Sequence, residues 1–261
     1  MPDPEELFFP SRKERFEDRR KETQSRQLQD EFFDHSTLLA ISRLITQGQF
    51  DSVDYPISTG KEGGVFRATG GEGYRAVKVY RIGNAVFRRL PAYAIEALRR
   101  EASDRNYARM VYAWTRREHS VLRRLHDAGV RVPTAYGYLR NVLVMEFIGT
   151  DGIAARRLQE ATVEDPQALY DDLVVQLHRM SVEAKLVHGD LSPYNVLWLD
   201  DKPILIDVAQ SMEGDHPQAP ALLRRDIDNF ARYLERLGAD VDAEEFFSAV
   251  GGATLGPKKE S

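Results

Sequence analysis

The sequence predicts an α+β fold of two lobes, in which a small antiparallel β-sheet with one helix precedes a reduced, mainly helical lobe. In the first half, short strand-like runs surround a glycine-rich turn and precede a long amphipathic helix. In the second half, helical segments flank a hairpin with polar ends. A chain of 261 residues suits one such domain. We expect an N-terminal arm and helix at 1–48, the first lobe at 49–148 and the reduced second lobe at 149–261.

Composition limits the classes of function that the chain can have. Its 42% hydrophobic residues suffice for a core, and a net charge of −5 argues against a global attraction to nucleic acid. The absence of cysteine excludes disulfides, thiolate metal sites and cysteine nucleophiles. The N-terminus lacks the apolar core of a signal peptide, and no run approaches the length of a membrane span. We therefore expect a cytoplasmic protein without a membrane partner.

The N-terminal extension has two parts. Residues 1–34 are charge-dense, and their pattern leaves open whether they form a solvated helix or a mobile arm. The following residues predict a helix with Ser36 as its N-cap and Gly48 at its end. Its apolar face is expected to comprise Leu38, Ile41 and Ile45.

A glycine-rich turn and a lysine follow. The segment ISTGKEGGVFRATG predicts two strands joined by a turn whose backbone N–H groups can approach a phosphate closely, because glycine has no Cβ. The turn alone is also compatible with an ordinary hairpin. The next strand, YRAVKVY, carries Lys78 in its middle, which matches the pattern of a phosphate-binding lysine on the third strand.

Residues 82–110 form an arginine-rich insertion in the first lobe. From Arg88 to Arg124 the sequence contains ten arginines and four acidic residues. This basic stripe can bind RNA phosphates, or it can be a solvated helix face with i,i+4 pairs such as Glu96 with Arg100. Charge clustering alone does not separate the two interpretations.

The helix that follows carries a carboxylate on its apolar face. Glu118 lies four residues after Trp114, on the same stripe as Val121, Leu122 and Leu125. A buried carboxylate is costly unless it is paired. We expect Glu118 to pair with Lys78 rather than with a nearby arginine, since neither residue has another local reason for its position. Such a pair positions ATP phosphates.

The first lobe ends with a second hairpin. TAYGYL and VLVMEFIG predict two strands around Arg140 and Asn141, and the chain then leaves the sheet through glycines. This exit is similar to the hinge between kinase lobes, whose backbone groups near Glu146 and Ile148 would bond the adenine edge.

The second half contains a hairpin with polar ends. The loop HGDLSPYN precedes two apolar runs joined by DDKP. Because a hairpin brings its outer ends together, we expect Asp190 and Asn195 to lie near Asp207. Their oxygens suit Mg²⁺, which prefers one or two carboxylates plus substrate phosphates. Singly, such residues more often form turns, but the joint spacing fits a catalytic loop in which Asp190 orients or deprotonates the acceptor hydroxyl while Asn195 and Asp207 hold the metal.

Helices account for most of the remaining second half. Leu169, Leu173 and Leu177 mark a buried helix from Asp165 to about Ala184. Further helices are predicted from Ala221 to Leu237 and near Glu244. Only about fifty residues follow Asp207, too few for the full set of helices with which ordinary protein kinases hold a peptide substrate.

Together these motifs resemble the RIO family of atypical serine protein kinases, and within it the branch with an STGKEA-type loop. STGKEGGVF, AVKVY, the Glu118 helix, MEFIG, HGDLSPYN and IDVAQ occur in family order, and the resemblance covers roughly residues 33–237. Gly63 replaces the usual alanine of the loop. The arginine-rich insertion matches the position of the family's flexible loop.

The resemblance implies a two-lobed protein-kinase-like fold that uses ATP with Mg²⁺, or with Mn²⁺ as an alternative. Lys78, Glu118, Asp190 and Asp207 would be catalytic, and Asn195 and Asp207 would bind metal. The nucleotide would contact Ser58, Thr59, Gly60, Lys61, Glu62, Val65, Ala76, Lys78, Met145, Glu146, Ile148, Asn195 and Asp207.

The resemblance also implies serine autophosphorylation, for which Ser103 is a candidate, and ATPase turnover through a phosphorylated Asp207. It implies a role in maturation of the small ribosomal subunit, whose RNA the insertion would contact. One alternative is a small-molecule kinase of the aminoglycoside or choline type, although such enzymes need a larger C-terminal helical region. Another is a ribosome-assembly factor that uses ATP hydrolysis only as a release switch. The oligomeric state stays open.

Overall fold

The computed structural model describes residues 32–71, 73–82, 93–95, 98 and 106–257. The chain divides into two compact units, the first comprising 1–119 and 135–147 and the second comprising 120–134 and 148–261. The domain boundaries predicted from the sequence stay a prediction. No helix within the described ranges is long and apolar enough to cross a bilayer.

The first unit contains a five-stranded antiparallel sheet in the order β1-β2-β3-β5-β4. Its strands are β1 (Ser52–Thr59), β2 (Gly63–Gly70), β3 (Gly73–Tyr80), β4 (Ala135–Leu139) and β5 (Val142–Glu146). The turn predicted at the glycines joins β1 to β2, and the Gly60 N–H donates to the Gly63 carbonyl at 2.9 Å. At Gly63 an added Cβ would lie 2.4 Å from the Val79 carbonyl oxygen, so this strand pairing requires glycine unless the backbone shifts.

One face of this sheet packs against helix α1 (His35–Thr46). This core contains apolar residues of the helix and the sheet, together with Phe32 before the helix and Phe50 before strand β1. Its other members are Ala40, Ile41, Leu44, Val53, Phe66, Ala68, Val77, Val79, Val142 and Val144. Because side chains alternate along a strand, Lys78 and Ala76 lie on the opposite face. Their register partners on that face are Val65 and Leu143 beside Lys78, and Met145 beside Ala76.

The predicted N-cap of helix α1 is wrong by two residues. Asp34 caps the helix, since its Oδ1 accepts the Thr37 N–H at 2.7 Å. The Ser36 hydroxyl instead contacts the Tyr112 hydroxyl at 3.3 Å and accepts from Arg140 at 3.0 Å. The buried face comprises Thr37, Ala40, Ile41 and Leu44, whereas the predicted Leu38 and Ile45 lie at its margins.

Helix α2 (Tyr107–Asp127) carries the apolar stripe that the sequence predicts. Trp114, Val121, Leu122 and Leu125 are buried, and Glu118 is buried among them with 1% of its surface exposed. A buried glutamate inside a helix that is otherwise rich in exposed arginine marks this position as one with a specific partner.

The second unit combines helices with short strands. Its helices are α3 (Pro166–His178), α4 (Ala219–Leu237) and α5 (Ala243–Ala249). Short strands are β6 (Gly149–Thr150), β7 (Ile153–Ala154), β8 (Arg156–Arg157), β9 (Leu186–Val187), β10 (Val196–Leu199), β11 (Lys202–Leu205) and β12 (Met212–Glu213). β10 pairs with both β11 and β8, and β9 pairs with β12.

The hairpin β10–β11 has the predicted tight turn. Asp200 and Asp201 both have positive φ, 51° and 55°, as in the two-residue turns whose twist matches paired strands. The helix expected to reach about Ala184 ends at His178 and continues as a π-helical turn, Arg179–Glu183. Helix α4 begins at Ala219, two residues before the predicted start.

Several predictions lie outside the described residues. These concern the arm before Phe32 and most of the insertion at 82–110, including Ser103 and the pair of Glu96 with Arg100.

Removal of a buried side chain from helix α1 tests its packing on the sheet. Ile41 is 1% exposed, and we expect Ile41→Ala to lower the free energy of unfolding by about 2–5 kcal/mol, because a cavity replaces its contacts. Leu39, on the same helix, is 50% exposed, and Leu39→Ala should change that free energy by less than about 0.5 kcal/mol. Chemical denaturation of both variants measures this, and equal effects would contradict the packing.

Candidate active site

The first unit contributes a buried ion pair. The Lys78 Nζ lies 2.7 Å from the Glu118 Oε1, as the sequence predicts. The side chains are 12% and 2% exposed, so water screens the pair weakly. The second carboxylate oxygen of Glu118, Oε2, accepts a hydrogen bond from the Tyr80 hydroxyl. Lys78 is therefore held in place on its sheet face.

Three residues predicted to contact a nucleotide lie beside this lysine on the same face of the sheet. Val65 and Ala76 are on the same face as Lys78, and Met145 is the register partner of Ala76. The glycine turn follows β1, so Ser58, Thr59, Gly60, Lys61 and Glu62 lie at the end of the sheet where β2 begins. Strand β5 ends at Glu146, and Ile148 lies in the segment of irregular backbone after it.

The second unit contributes the polar turn. Asn195 Nδ2 donates to the Asp190 carbonyl at 2.8 Å and to Asp190 Oδ2 at 3.3 Å. The Ile206 N–H donates to the Asn195 carbonyl at 3.0 Å, which places Asp207 one residue beyond the end of the hairpin ladder. The structure thus brings Asp190, Asn195 and Asp207 to the mouth of the hairpin, as predicted. Lys78 and Glu118 belong to the other compact unit.

Asp207 has a left-handed backbone, with φ 57° and ψ 46°. This conformation is uncommon outside glycine, although aspartate tolerates it better than most residues. It turns the chain sharply after β11, directly before the short 3₁₀ segment Val208–Gln210.

The donor set of this turn fits magnesium. Asn195 uses its amide nitrogen as a hydrogen-bond donor, so its amide oxygen is the atom that can coordinate a cation, together with a carboxylate oxygen of Asp207. Within the described residues, no group of three or more histidine, cysteine, aspartate or glutamate side chains could hold a metal. An amide, a carboxylate and substrate phosphates are the ligands typical of a kinase magnesium site.

The turn that carries Asp190 is held by Asp226 and Arg225, which the sequence did not single out. Asp226 of helix α4 accepts the Gly189 N–H at 2.8 Å, and Arg225 donates to the Gly189 carbonyl. The His188 Nε2 lies 3.0 Å from the Ile206 carbonyl and so links the turn to the end of β11. The peptide units on both sides of Gly189, the residue before Asp190, are therefore held by consecutive residues of one helix.

Asp226 is 1% exposed, and its environment is unusual. Burial raises the pKa of its carboxyl above the ordinary value, whereas His188, the Gly189 N–H and Arg225 act to lower it. The signal in the sequence is the same as for Glu118, because Asp226 lies between Leu223 and Ile227 on a buried helix stripe.

The fold is of the protein-kinase-like class. The Rio2 kinase from Chaetomium thermophilum superposes with a TM-score of 0.63 at 23% identity, over 84% of this chain and 69% of that chain. A Rio2 kinase complex with ADP, Mg²⁺ and phosphoaspartate from the same organism gives a TM-score of 0.62, over 84% of this chain and 67% of that chain. At this identity the likeness shows the fold.

The chain belongs to the RIO domain family, whose profile matches residues 64–246. The RIO-type serine/threonine-protein kinase Rio1 of Haloferax volcanii is 41% identical over 241 residues, which is 91% of this chain and 82% of that protein. The Rio1 of Methanocaldococcus jannaschii is 32% identical over 249 residues, which is 95% of this chain and 86% of that protein. Human serine/threonine-protein kinase RIO1 is 33% identical over 83% of this chain, which spans 39% of the human protein.

The raised pKa of Asp226 predicts a pH trend in stability. A carboxyl whose pKa is higher in the folded than in the unfolded chain binds more protons in the folded state. The free energy of unfolding then falls as pH rises from about 4 through the folded-state pKa. Asp226→Asn keeps an oxygen for the Gly189 N–H but does not titrate. We expect the unfolding free energy of the wild type, relative to this variant, to decrease from pH 4 to pH 8 in chemical denaturation. An increase over this range would contradict the burial argument.

Proposed function

We propose that this chain transfers the γ-phosphoryl group of ATP, with Mg²⁺, to the hydroxyl of serine or threonine, including residues of its own. The observation that carries the proposal is the Asp190–Asn195 turn, in which a candidate base is hydrogen-bonded to a candidate metal ligand. The names of the archaeal relatives, RIO-type serine/threonine-protein kinases, support the same activity. Mn²⁺ is proposed as a substitute metal because the donor set contains only oxygens.

Each side chain has a proposed role toward the nucleotide. Asp190 would orient or deprotonate the acceptor hydroxyl, and Asn195 and Asp207 would hold the magnesium ion. Lys78 neutralises the α- and β-phosphates, and Glu118 fixes its ammonium group. Bound magnesium supplies charge neutralisation of the transferring phosphoryl group.

The sheet supplies the proposed binding surface for the nucleotide. Backbone N–H groups of the Ser58–Glu62 turn would cover the phosphates. The apolar side chains Val65, Ala76 and Met145 would contact the base, and backbone groups at Glu146 and Ile148 would bond its edge. In this arrangement, apolar contacts would provide most of the affinity and a few polar groups would fix the orientation of the base, as in small-molecule sites generally.

Replacement of Asp190 separates chemistry from binding. Asp190→Ala should lower the rate of phosphoryl transfer by about 100-fold or more, which is the range for loss of a general base. The ATP dissociation constant, measured by titration calorimetry, should stay within about threefold. The control is Asp171→Ala, which removes an exposed carboxylate from helix α3 of the same unit. Unchanged turnover of Asp190→Ala would refute its role.

Replacement of Lys78 should act on binding. Lys78→Ala removes a charge-assisted contact to phosphate worth about 1.5–3 kcal/mol, so the ATP dissociation constant should rise about 10- to 100-fold. Arg43→Ala, which removes an exposed cation from helix α1, is the matched control. Wild-type affinity in Lys78→Ala would contradict the assignment.

ATPase turnover is a second candidate activity, and the Rio2 complex with phosphoaspartate favours it. A carboxylate oxygen of Asp207 would attack the γ-phosphorus, the bond to the β-phosphate oxygen would break, and ADP would leave. Water would then hydrolyse the acyl phosphate to aspartate and phosphate. Incubation with γ-labelled ATP and Mg²⁺ distinguishes the products, since hydroxylamine cleaves an acyl phosphate but not phosphoserine.

The cellular role is proposed from the family resemblance. We propose that the chain acts in the cytoplasm on the maturing small ribosomal subunit and contacts its RNA through the arginine-rich insertion at 82–110. If ATP hydrolysis serves as a release switch, selective binding to pre-ribosomal RNA should depend on the bound nucleotide. If transfer to other proteins matters, a protein-substrate screen should yield a phosphorylated target.

A further inference from the structure

The buried carboxylate of Glu118 has a second hydrogen-bond donor besides Lys78. Lys78 Nζ contacts Oε1 at 2.7 Å, and the Tyr80 hydroxyl donates to Oε2. Tyr80 is 3% exposed, so its hydroxyl makes this bond away from bulk water. A hydrogen bond to a buried charge is stronger than one in water, and loss of it leaves an uncompensated acceptor.

Tyr80 reaches Glu118 because of its place in strand β3. It lies two residues after Lys78, and residues two apart on a strand point to the same face. The Lys78 ammonium also lies 5.0 Å from the centre of the Tyr80 ring, a distance at which a cation is attracted to an aromatic face. Tyr80 thus contacts both members of the ion pair, the anion through its hydroxyl and the cation through its ring.

The backbone of Tyr80 is fixed on both sides by a single buried residue. The Tyr80 N–H donates to the Asn141 carbonyl at 2.9 Å, and Asn141 Nδ2 donates to the Tyr80 carbonyl at 2.8 Å. Asn141 Nδ2 also donates to the Thr37 Oγ1 of helix α1 at 2.8 Å. Asn141 and Thr37 are each 1% exposed. A continuous set of buried hydrogen bonds therefore leads from helix α1 to Glu118.

We propose that Tyr80 is a positioning residue for phosphoryl transfer, which holds the Glu118 carboxylate, and through it the Lys78 ammonium, in the orientation that binds ATP phosphates. This inference rests on the proposed function. Tyr80 does not touch the nucleotide in this role. Its hydroxyl limits rotation of the carboxylate, and its backbone bonds to Asn141 fix the hydroxyl in turn.

The test is a double-mutant cycle on ATP binding. Tyr80→Phe removes one oxygen and keeps the ring. We expect it to raise the ATP·Mg²⁺ dissociation constant about 5- to 10-fold by titration calorimetry and to lower kcat. In a Glu118→Gln background, Tyr80→Phe should change the ATP·Mg²⁺ dissociation constant by less than twofold, because the carboxylate that the Tyr80 hydroxyl holds is no longer present. Thermal unfolding verifies that each variant is folded at the assay temperature.

Tyr112→Phe is the matched control. The Tyr112 hydroxyl lies 3.3 Å from the Ser36 hydroxyl of helix α1. Loss of the Tyr112 hydroxyl should leave ATP affinity within twofold of wild type even if the melting temperature falls. Wild-type affinity and kcat in Tyr80→Phe would overturn the proposal, as would an undiminished effect in the Glu118→Gln background. Failure of the wild-type chain to bind ATP·Mg²⁺ would overturn the proposed function first, and it is measured separately.

Discussion

The cost of burying a carboxylate constrains the candidate site residues of each compact unit. Glu118 and Asp226 are each 1% exposed, and each lies on the apolar stripe of a long helix. An ionised carboxylate in such a place is tolerated only when its oxygens have donors. Glu118 bonds to Lys78 and Tyr80, whereas Asp226 bonds to the backbone of the turn that carries Asp190. The groups that donate to these carboxylates include the Lys78 ammonium and the backbone next to Asp190, whose positions the proposed chemistry requires.

The two carboxylates act on different kinds of partner. Glu118 holds a side chain, so the position of Lys78 depends on rotamers of both residues. Asp226 and Arg225 hold the peptide groups of Gly189, and they fix the backbone from which the Asp190 side chain extends. A backbone restrained by a rigid helix has fewer soft torsions than a long side chain. This difference explains why a second contact, from Tyr80, is useful at Glu118.

Much of the fold could be predicted because periodicity and turn chemistry are local. The strands around the glycine turn, the Glu118 helix and the hairpin before Asp207 follow from alternation, a helical stripe and a two-residue turn. The cap of helix α1 could not be decided locally, since Asp34 and Ser36 are both good caps and backbone dihedrals choose between them. Asp226 was missed for another reason: its helical stripe with Leu223 and Ile227 marks it as buried, but the residue types do not show that it binds the backbone of a distant turn.

The ion pair of Lys78 with Glu118 could be predicted although its residues are 40 apart, because each violates a local rule. A lysine inside an apolar strand and a glutamate on an apolar helix stripe are both costly alone, and mutual neutralisation removes both costs. The same reasoning applied to Asp226 predicts a buried donor. That donor is the main-chain N–H of Gly189, which cannot be identified from residue types because every residue except proline has one. Sequence reasoning therefore identifies pairs of side chains more readily than the backbone contacts that position a catalytic turn.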